Sequence, residues 1–125
     1  MNVDEMEAGR KLDALVAEKV MGVKPEQVYC DISGRSISRY FDLEDRMRIE
    51  SYSTDIAAAW QVLERVAESW LPCVMHDGMM WVAEFDSIIE CHTAYADTAP
   101  LAICRCALKT VDKETTDDRD NQTGT

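Results

Sequence analysis

The stretch Pro72-Cys-Val-Met-His-Asp-Gly-Met-Met-Trp-Val-Ala-Glu-Phe85 decides the fold class, because it has the pattern of two β-strands joined by a tight turn. Its Asp77-Gly78 pair is a strong hairpin signal, since hairpin turns require backbone angles that Gly adopts readily. A second turn at Asp86-Ser87 precedes the stretch from Ile88 to Tyr95, which predicts a third strand. The three strands together predict an antiparallel meander.

A helix is predicted on the N-terminal side of this meander. Ala57-Ala-Ala favours helix, one of the polar residues of 53–55 supplies the N-cap, and Leu71-Pro72 ends the helix because the residue before proline avoids helical angles. The apolar side chains of one face are expected to point into the core; they are Ile56, Trp60, Leu63, Ala67 and Trp70.

Two more helices and a hairpin complete the predicted order. The first helix covers residues 8–20, with Asn2 or Asp4 as its cap and Gly22 as its stop. Residues 27–41 predict two short strands around a Ser-Gly-Arg turn. The last helix begins near Asp97-Thr-Ala-Pro100, and its predicted buried stripe is Leu101, Cys104, Leu108 and Val111. The chain is therefore expected to be an α/β protein in which helices pack over a sheet.

Length and composition limit the possible domain organisation and cellular compartment. The 125 residues suit one domain, predicted over residues 1–111, and residues 112–125, which carry no apolar side chain, predict a disordered acidic tail. The five cysteines are an odd number, and neither a secretory signal nor a long apolar stretch is evident. Reduced thiols in a cytosol fit this pattern best.

The net charge of −11 bears on the classes of partner. Such a chain repels long nucleic acids and anionic membranes, so neither is expected as a partner. Screening limits surface charge effects to about 10 Å at 0.1 M salt. A small anionic ligand held at a local site therefore remains compatible with the acidic composition.

The spacing of reactive residues does not predict an enzyme, a metal site or a cofactor. The chain has no Cys-x-x-Cys motif, and Cys104 and Cys106 are two apart on a predicted helix, so they point to different faces. Neighbouring Cys91 and His92 on a strand point to opposite sides of the sheet. No phosphate-binding glycine motif or nucleophile motif is present.

The starts of the second and third helices are the candidate ligand-binding positions. Free N–H groups and the helix dipole favour anions there, and the hydroxyls of nearby Ser and Thr add donors. The aromatic ring at the first start is a candidate for stacking on a base, and the carboxylates can accept from ribose or base donors. Helix capping alone explains the same residues, which are Tyr52, Ser53, Thr54 and Asp55 at one start and Asp97 and Thr98 at the other.

Basic and aromatic residues complete the candidate site. Arg35, Arg39, Arg46 and Arg48 lie within fourteen positions of an acidic chain, and the guanidinium group suits phosphate. Surface pairing with nearby carboxylates is the alternative for each of them. Arg105 is a further candidate for a phosphate contact. Trp81 can stack on a base if it is half exposed, although packing is the favoured explanation.

Three segments carry a resemblance to a known family. Ala-Gly-Arg-Lys-Leu-Asp-Ala-Leu-Val-Ala-Glu-Lys-Val-Met-Gly at 8–22, Tyr-Ser-Thr-Asp-Ile-Ala-Ala-Ala-Trp at 52–60 and Ala-Asp-Thr-Ala-Pro-Leu-Ala-Ile-Cys-Arg at 96–105 resemble the phage ABA-sandwich domain proteins, small products of phages and prophages. Residues 24–50 and Val23 depart from the pattern. The resemblance implies a three-layer α/β/α sandwich with a small, mainly antiparallel sheet and three helices, and it implies no established enzyme activity.

The functional hypothesis combines this resemblance with an analogy. Unrelated small phage proteins bind cyclic oligonucleotide or cyclic ADP-ribose-type immune signals without cleaving them, so sequestration of such a nucleotide is expected here. A module that inhibits a host or phage protein by binding it is the alternative, and a phosphodiesterase-like enzyme is a third. An open strand at the edge of the meander also predicts a homo-oligomer, with a dimer favoured.

Overall fold

The computed structural model describes residues 2–32, 35–42 and 47–112. In that part of the chain, a 3-10 turn at Val3–Glu5 is followed by three α-helices and six β-strands. The helices are α1 (Arg10–Lys19), α2 (Ile56–Val66) and α3 (Ala99–Val111). The strands are β1 (Pro25–Ile32), β2 (Arg35–Asp42), β3 (Met47–Arg48), β4 (Leu71–His76), β5 (Trp81–Asp86) and β6 (Cys91–Ala96).

The predicted meander is confirmed as an antiparallel sheet in the order β4-β5-β6. Its first turn is closed by the Asp77 N–H, which donates to the Met80 carbonyl, and Gly78 adopts the positive φ that its position requires. The third strand begins at Cys91 rather than Ile88, because Ser87 and Glu90 close a turn that exposes Ile88 and Ile89 at its tip.

A second, separate sheet contains β1, β2 and β3 in that order. The predicted hairpin of residues 27–41 is confirmed by the antiparallel pairing of β1 with β2, although its Ser33-Gly34 turn lies outside the described residues. The predicted fold class is also confirmed: three helices and antiparallel sheets form an α/β sandwich. The strands differ from the prediction in forming two sheets instead of one.

The core lies between α3 and one face of the β4-β5-β6 sheet. Small side chains at Ala83 and Ala94 occupy the middle of that face and are fully buried, and they lie opposite each other in the register of β5 and β6. Alanine at these positions lets a helix approach the sheet closely. Phe85 from β5 and Ile103 and Leu108 from α3 fill the remaining space.

The predicted buried face of α2 is wrong by part of a turn. Ile56 and Trp60 are 54% and 56% exposed. The buried side chains are instead Ala58, Ala59, Val62 and Val66. Small alanines suit the contact of α2 with α3, which leaves Ile56 and Trp60 towards solvent. Leu63 and Trp70 of the predicted stripe are partly buried and pack against the core.

The ends of the other helices partly match the predictions. Gly9, not Asn2 or Asp4, is the N-cap of α1. Gly22 acts as the predicted stop, since its φ of 73° lets the Val23 N–H reach the Ala17 carbonyl. Cys104 and Leu108 of α3 are buried as predicted, whereas Val111 is 37% exposed. The predicted tail lies outside the described residues, apart from Asp112. No helix in the described part of the chain is long and apolar enough to cross a membrane.

Candidate functional site

Two residues of the predicted site before α2 are buried. Ser53 is fully buried, and both its N–H and its hydroxyl donate to Oδ1 of Asp13, over 2.7 and 2.6 Å. Its hydroxyl oxygen also accepts from the Gly9 N–H. Tyr52 is buried beside it, and burial raises the pKa of its phenol. Ser53 therefore connects the loop before α2 to the first turn of α1.

The capping interpretation is confirmed for the starts of α2 and α3. Oδ1 of Asp55 accepts from the Ala57 N–H over 3.0 Å, and Oγ1 of Thr98 accepts from the Leu101 N–H over 3.4 Å. Thr54 and Asp97 are exposed. Both predicted helix starts therefore satisfy main-chain donors with side chains of their own.

Arg105 is engaged by main-chain carbonyls. Its Nε and Nη2 donate to the Met6 carbonyl over 2.9 and 2.6 Å, and its Nη1 donates to the Tyr95 carbonyl over 2.8 Å. These bonds fasten the segment before α1 to β6. Trp81 is half-buried against the core, with its ring edge-on to the His76 ring.

The predicted arginine cluster lies at the sheet formed by β1, β2 and β3. Arg35 lies opposite Ile32, and Arg39 lies opposite Val28 in the register of β1 and β2. Arg46 lies outside the described residues. Arg48 lies on β3, opposite Phe41 of β2, and its side chain is exposed.

A polar cleft forms where β2 and β3 meet the start of α1. Its volume is about 70 Å³, and its lining residues are Arg10, Asp13, Tyr40, Arg48, Ile49 and Ser51. The Ile49 N–H donates to the Tyr40 carbonyl over 3.1 Å, which holds the strand carrying Arg48 beside Tyr40. Two arginines and two hydroxyl-bearing residues, Tyr40 and Ser51, thus belong to the lining of one small depression.

The buried carboxylate in this cleft has a shifted pKa. Burial raises the pKa of Asp13, while the two hydrogen bonds from Ser53 oppose that shift by stabilising the charged form. This carboxylate already accepts two hydrogen bonds from Ser53. The lining of the cleft thus combines two basic residues, Arg10 and Arg48, with one buried carboxylate.

A larger groove adjoins the cleft through Arg10. It measures about 680 Å³ and is lined by residues 5–12 and Leu15, which include the first turn of α1. No side chain caps this helix start, and Arg10 and Lys11 occupy its first turn. Basic residues there oppose the helix dipole, whereas Asp13 of the same turn is placed favourably.

The structure brings together only part of the predicted site. Among the described residues that line the cleft and the groove, neither Asp97 nor Thr98 occurs, so the start of α3 contributes to neither depression. Sequence reasoning missed Arg10, Lys11, Tyr40 and Ser51. The available signal in the sequence was the pair of basic residues directly after Gly9, at a helix start whose N-cap residue has no side chain.

The structure also places a thiol beside two carboxylates. Ligand atoms of Glu84, Asp86 and Cys91 lie within 4.8 Å of one another on paired strands, an arrangement that spacing along the chain does not reveal. The Cys91 thiol donates to Oε1 of Glu84 over 3.3 Å. Hydrogen bonds to Asp86 and then Glu84 raise the pKa of Cys91 to about 11, so this thiol is a donor at neutral pH and not a thiolate.

Comparison with known proteins identifies the family. A family model described as Phage ABA sandwich domain matches residues 14–108, so the chain belongs to the phage ABA sandwich domain family. A crystal structure of a phage protein from Bacillus cereus ATCC 14579 is similar, with 27% sequence identity and a TM-score of 0.65. The match covers 86% of this chain and 95% of that one. The comparison with curated proteins gives no match.

Proposed function

We propose that this phage protein binds a nucleotide immune signal in the host cytosol, a cyclic oligonucleotide or a cyclic ADP-ribose-type molecule, and sequesters it without cleavage. The observation that carries the proposal is the position of Arg10 and Arg48 in the lining of one cleft, together with Tyr40 and Ser51. Guanidinium groups bind phosphate through paired, charge-assisted hydrogen bonds. The cleft therefore brings two basic residues together on a chain whose net charge is −11.

The sizes of the two depressions suggest how such a ligand divides between them. At about 70 Å³ the cleft is well below the roughly 300–1,000 Å³ of pockets that enclose whole small molecules. The groove of about 680 Å³ falls inside that range. A phosphate in the cleft and a nucleoside along the groove would place Arg10 between the two parts of the ligand.

The chemistry of the lining residues supports binding without turnover. Among the described residues, neither histidine nor cysteine lines the cleft or the groove, and the carboxylate of Asp13 accepts hydrogen bonds from Ser53. Away from the cleft, burial raises the pKa of the Cys104 and Cys106 thiols, the latter to about 12. A nucleophilic cysteine needs the opposite shift.

Isothermal titration calorimetry tests the proposal with a panel of cyclic dinucleotides, cyclic trinucleotides and cyclic ADP-ribose isomers. We expect at least one of them to bind, and chromatography after denaturation to recover it intact. If no member of the panel gives a heat of binding at protein concentrations well above micromolar, the proposal is contradicted. Recovery of a hydrolysed product would favour the phosphodiesterase-like alternative.

A pair of charge-matched variants localises the site. Arg48→Gln removes one guanidinium from the exposed rim of the cleft and is expected to weaken binding at least tenfold. Lys19→Gln removes the same charge at the exposed far end of α1 and is expected to leave binding unchanged. Equal losses in both variants would indicate a general charge effect and not a site at the cleft.

A further inference from the structure

One face of the β4-β5-β6 sheet is open to solvent. Side chains alternate between the two faces of this sheet. The core side takes the even-numbered residues of β4 and β6 and the odd-numbered residues of β5, and the open face takes the remaining residues of the three strands. On that face Leu71 is 76% exposed, Met75 47% and Tyr95 51%. Large apolar side chains clustered on an exposed surface mark interaction sites.

The open face has an acidic centre and apolar corners. The register sets Glu84 of β5 between Cys73 and Thr93, in the middle of a grid three strands wide and three residues long. Leu71, Met75 and Tyr95 occupy three corners of the grid, and Cys91 occupies the fourth. In the part of the chain that the structure describes, no ion pair joins Glu84 or its neighbour Asp86 to a basic side chain.

This charge distribution disfavours a second copy as the occupant. A two-fold axis through the middle of the grid, along or across the strands, would set Glu84 directly against Glu84 of the copy. Facing carboxylates removed from water are strongly unfavourable. The homodimer predicted from the sequence stays a prediction, and the edges of β4 and β6 suit it better than this face does.

We propose that this open face binds a segment of another protein that presents an arginine or lysine between apolar side chains. The cation would lie over Glu84 and Asp86, and the apolar neighbours would contact Leu71, Met75 and Tyr95. Interfaces gain most of their affinity from such central anchors surrounded by apolar contacts. This proposal concerns a different surface from the nucleotide cleft and does not depend on it.

The size of the face favours a short segment over a folded domain. Strands about 4.8 Å apart and a rise of about 3.3 Å per residue give the three-strand sheet a footprint of roughly 300 Å². A stable interface between folded proteins buries about 800 Å² on each side. A peptide-sized partner matches the available surface.

Selection of a random peptide library displayed on messenger RNA against the immobilised protein tests this inference. We expect the selected peptides to be enriched in Arg or Lys flanked by apolar residues. In calorimetry with a synthetic selected peptide, Glu84→Gln and Met75→Lys should each weaken binding at least tenfold. Glu64→Gln, which neutralises an exposed carboxylate on α2, is the matched control and should leave affinity unchanged.

A charge-reversal experiment distinguishes the loss of a specific ion pair from a structural effect of the substitutions. Glu84→Arg should bind a peptide in which the selected cation is replaced by Glu, while the wild-type protein should not. Selected peptides without a cation, or binding that survives both Glu84→Gln and Met75→Lys, would overturn the proposal. So would analytical ultracentrifugation showing a wild-type dimer that Met75→Lys dissociates, because the face would then belong to a second copy.

Discussion

The hydroxyl oxygen of Ser53 lies 2.6 Å from Oδ1 of Asp13, and both side chains are buried. The same hydroxyl oxygen accepts from the N–H of Gly9, the residue at the N-cap of α1. Since residues 53 and 13 are forty positions apart, this contact fixes the start of α1 against the loop before α2. The cleft is built on that junction, because Asp13 and Ser51 both line it.

Ser53→Ala should destabilise the protein by about 1–3 kcal/mol. The substitution leaves a buried carboxylate with one hydrogen bond fewer and the Gly9 N–H without its acceptor, and unmade bonds of this kind carry costs of that size. Urea denaturation measures the free energy of unfolding. Thr54→Ala is the control, because Thr54 is exposed, and a change below about 0.5 kcal/mol is expected there. Equal stability of the two variants would contradict the structural role of Ser53.

The raised pKa of Asp13 predicts a pH dependence of stability. Because the folded state binds the proton more tightly than the unfolded state, the slope of unfolding free energy with pH is negative between the usual value of 3.8 and the raised value. The contribution of Asp13 should therefore favour folding most below pH 3.8 and decline as pH rises through its folded pKa. Subtracting the stability of Asp13→Asn at each pH isolates this contribution. A difference that instead grows with pH in this window would mean that hydrogen bonding outweighs burial.

Local sequence signals predicted the elements better than their packing. Asp77-Gly78 and Thr98-Ala-Pro100 act within a few residues, and the corresponding turn and helix start appear close to where they were predicted. The predicted end of α2 at Leu71-Pro72 is wrong, because the helix ends at Val66 and Leu71 is the first residue of β4. The exposed face of α2 was not predictable in this way. The pattern placed Trp60 in a core stripe, but the packing of α2 against α3 buries the alanines instead. The sequence of one helix does not show which of its faces a neighbouring helix will cover.

The candidate site shows the same limit. Helix capping by Asp55 and Thr98 follows from residue type and position, and the structure confirms it. The approach of Arg10 to Arg48 depends on how α1 docks beside β3, so it was not visible from spacing. The acidic centre of the open sheet face likewise depends on strand register, which sets Glu84 between β4 and β6.

Truncation of Trp60 should have a small effect for such a large side chain. Because the side chain is 56% exposed, Trp60→Ala should cost less than about half of the 3–5 kcal/mol typical of a buried aromatic residue. Phe85→Leu provides the comparison, since Phe85 is fully buried between α3 and the sheet. Urea denaturation should show the larger loss for Phe85→Leu, even though it removes fewer atoms. A larger loss for Trp60→Ala would place that indole in the core.

Arg105→Gln should loosen the segment before α1. The guanidinium donates three hydrogen bonds to the carbonyls of Met6 and Tyr95, and charged donors contribute about 1.5–3 kcal/mol each to such contacts. Hydrogen exchange measured by mass spectrometry should show faster exchange in residues 2–9, with the middle of α3 changing much less. Arg65→Gln is the matched control, because Arg65 forms only an exposed pair with Glu68, and exposed pairs contribute about 0–1 kcal/mol. If Arg105→Gln instead abolished nucleotide binding while residues 2–9 exchanged as in the wild-type protein, Arg105 would contact the ligand directly, as the sequence first suggested.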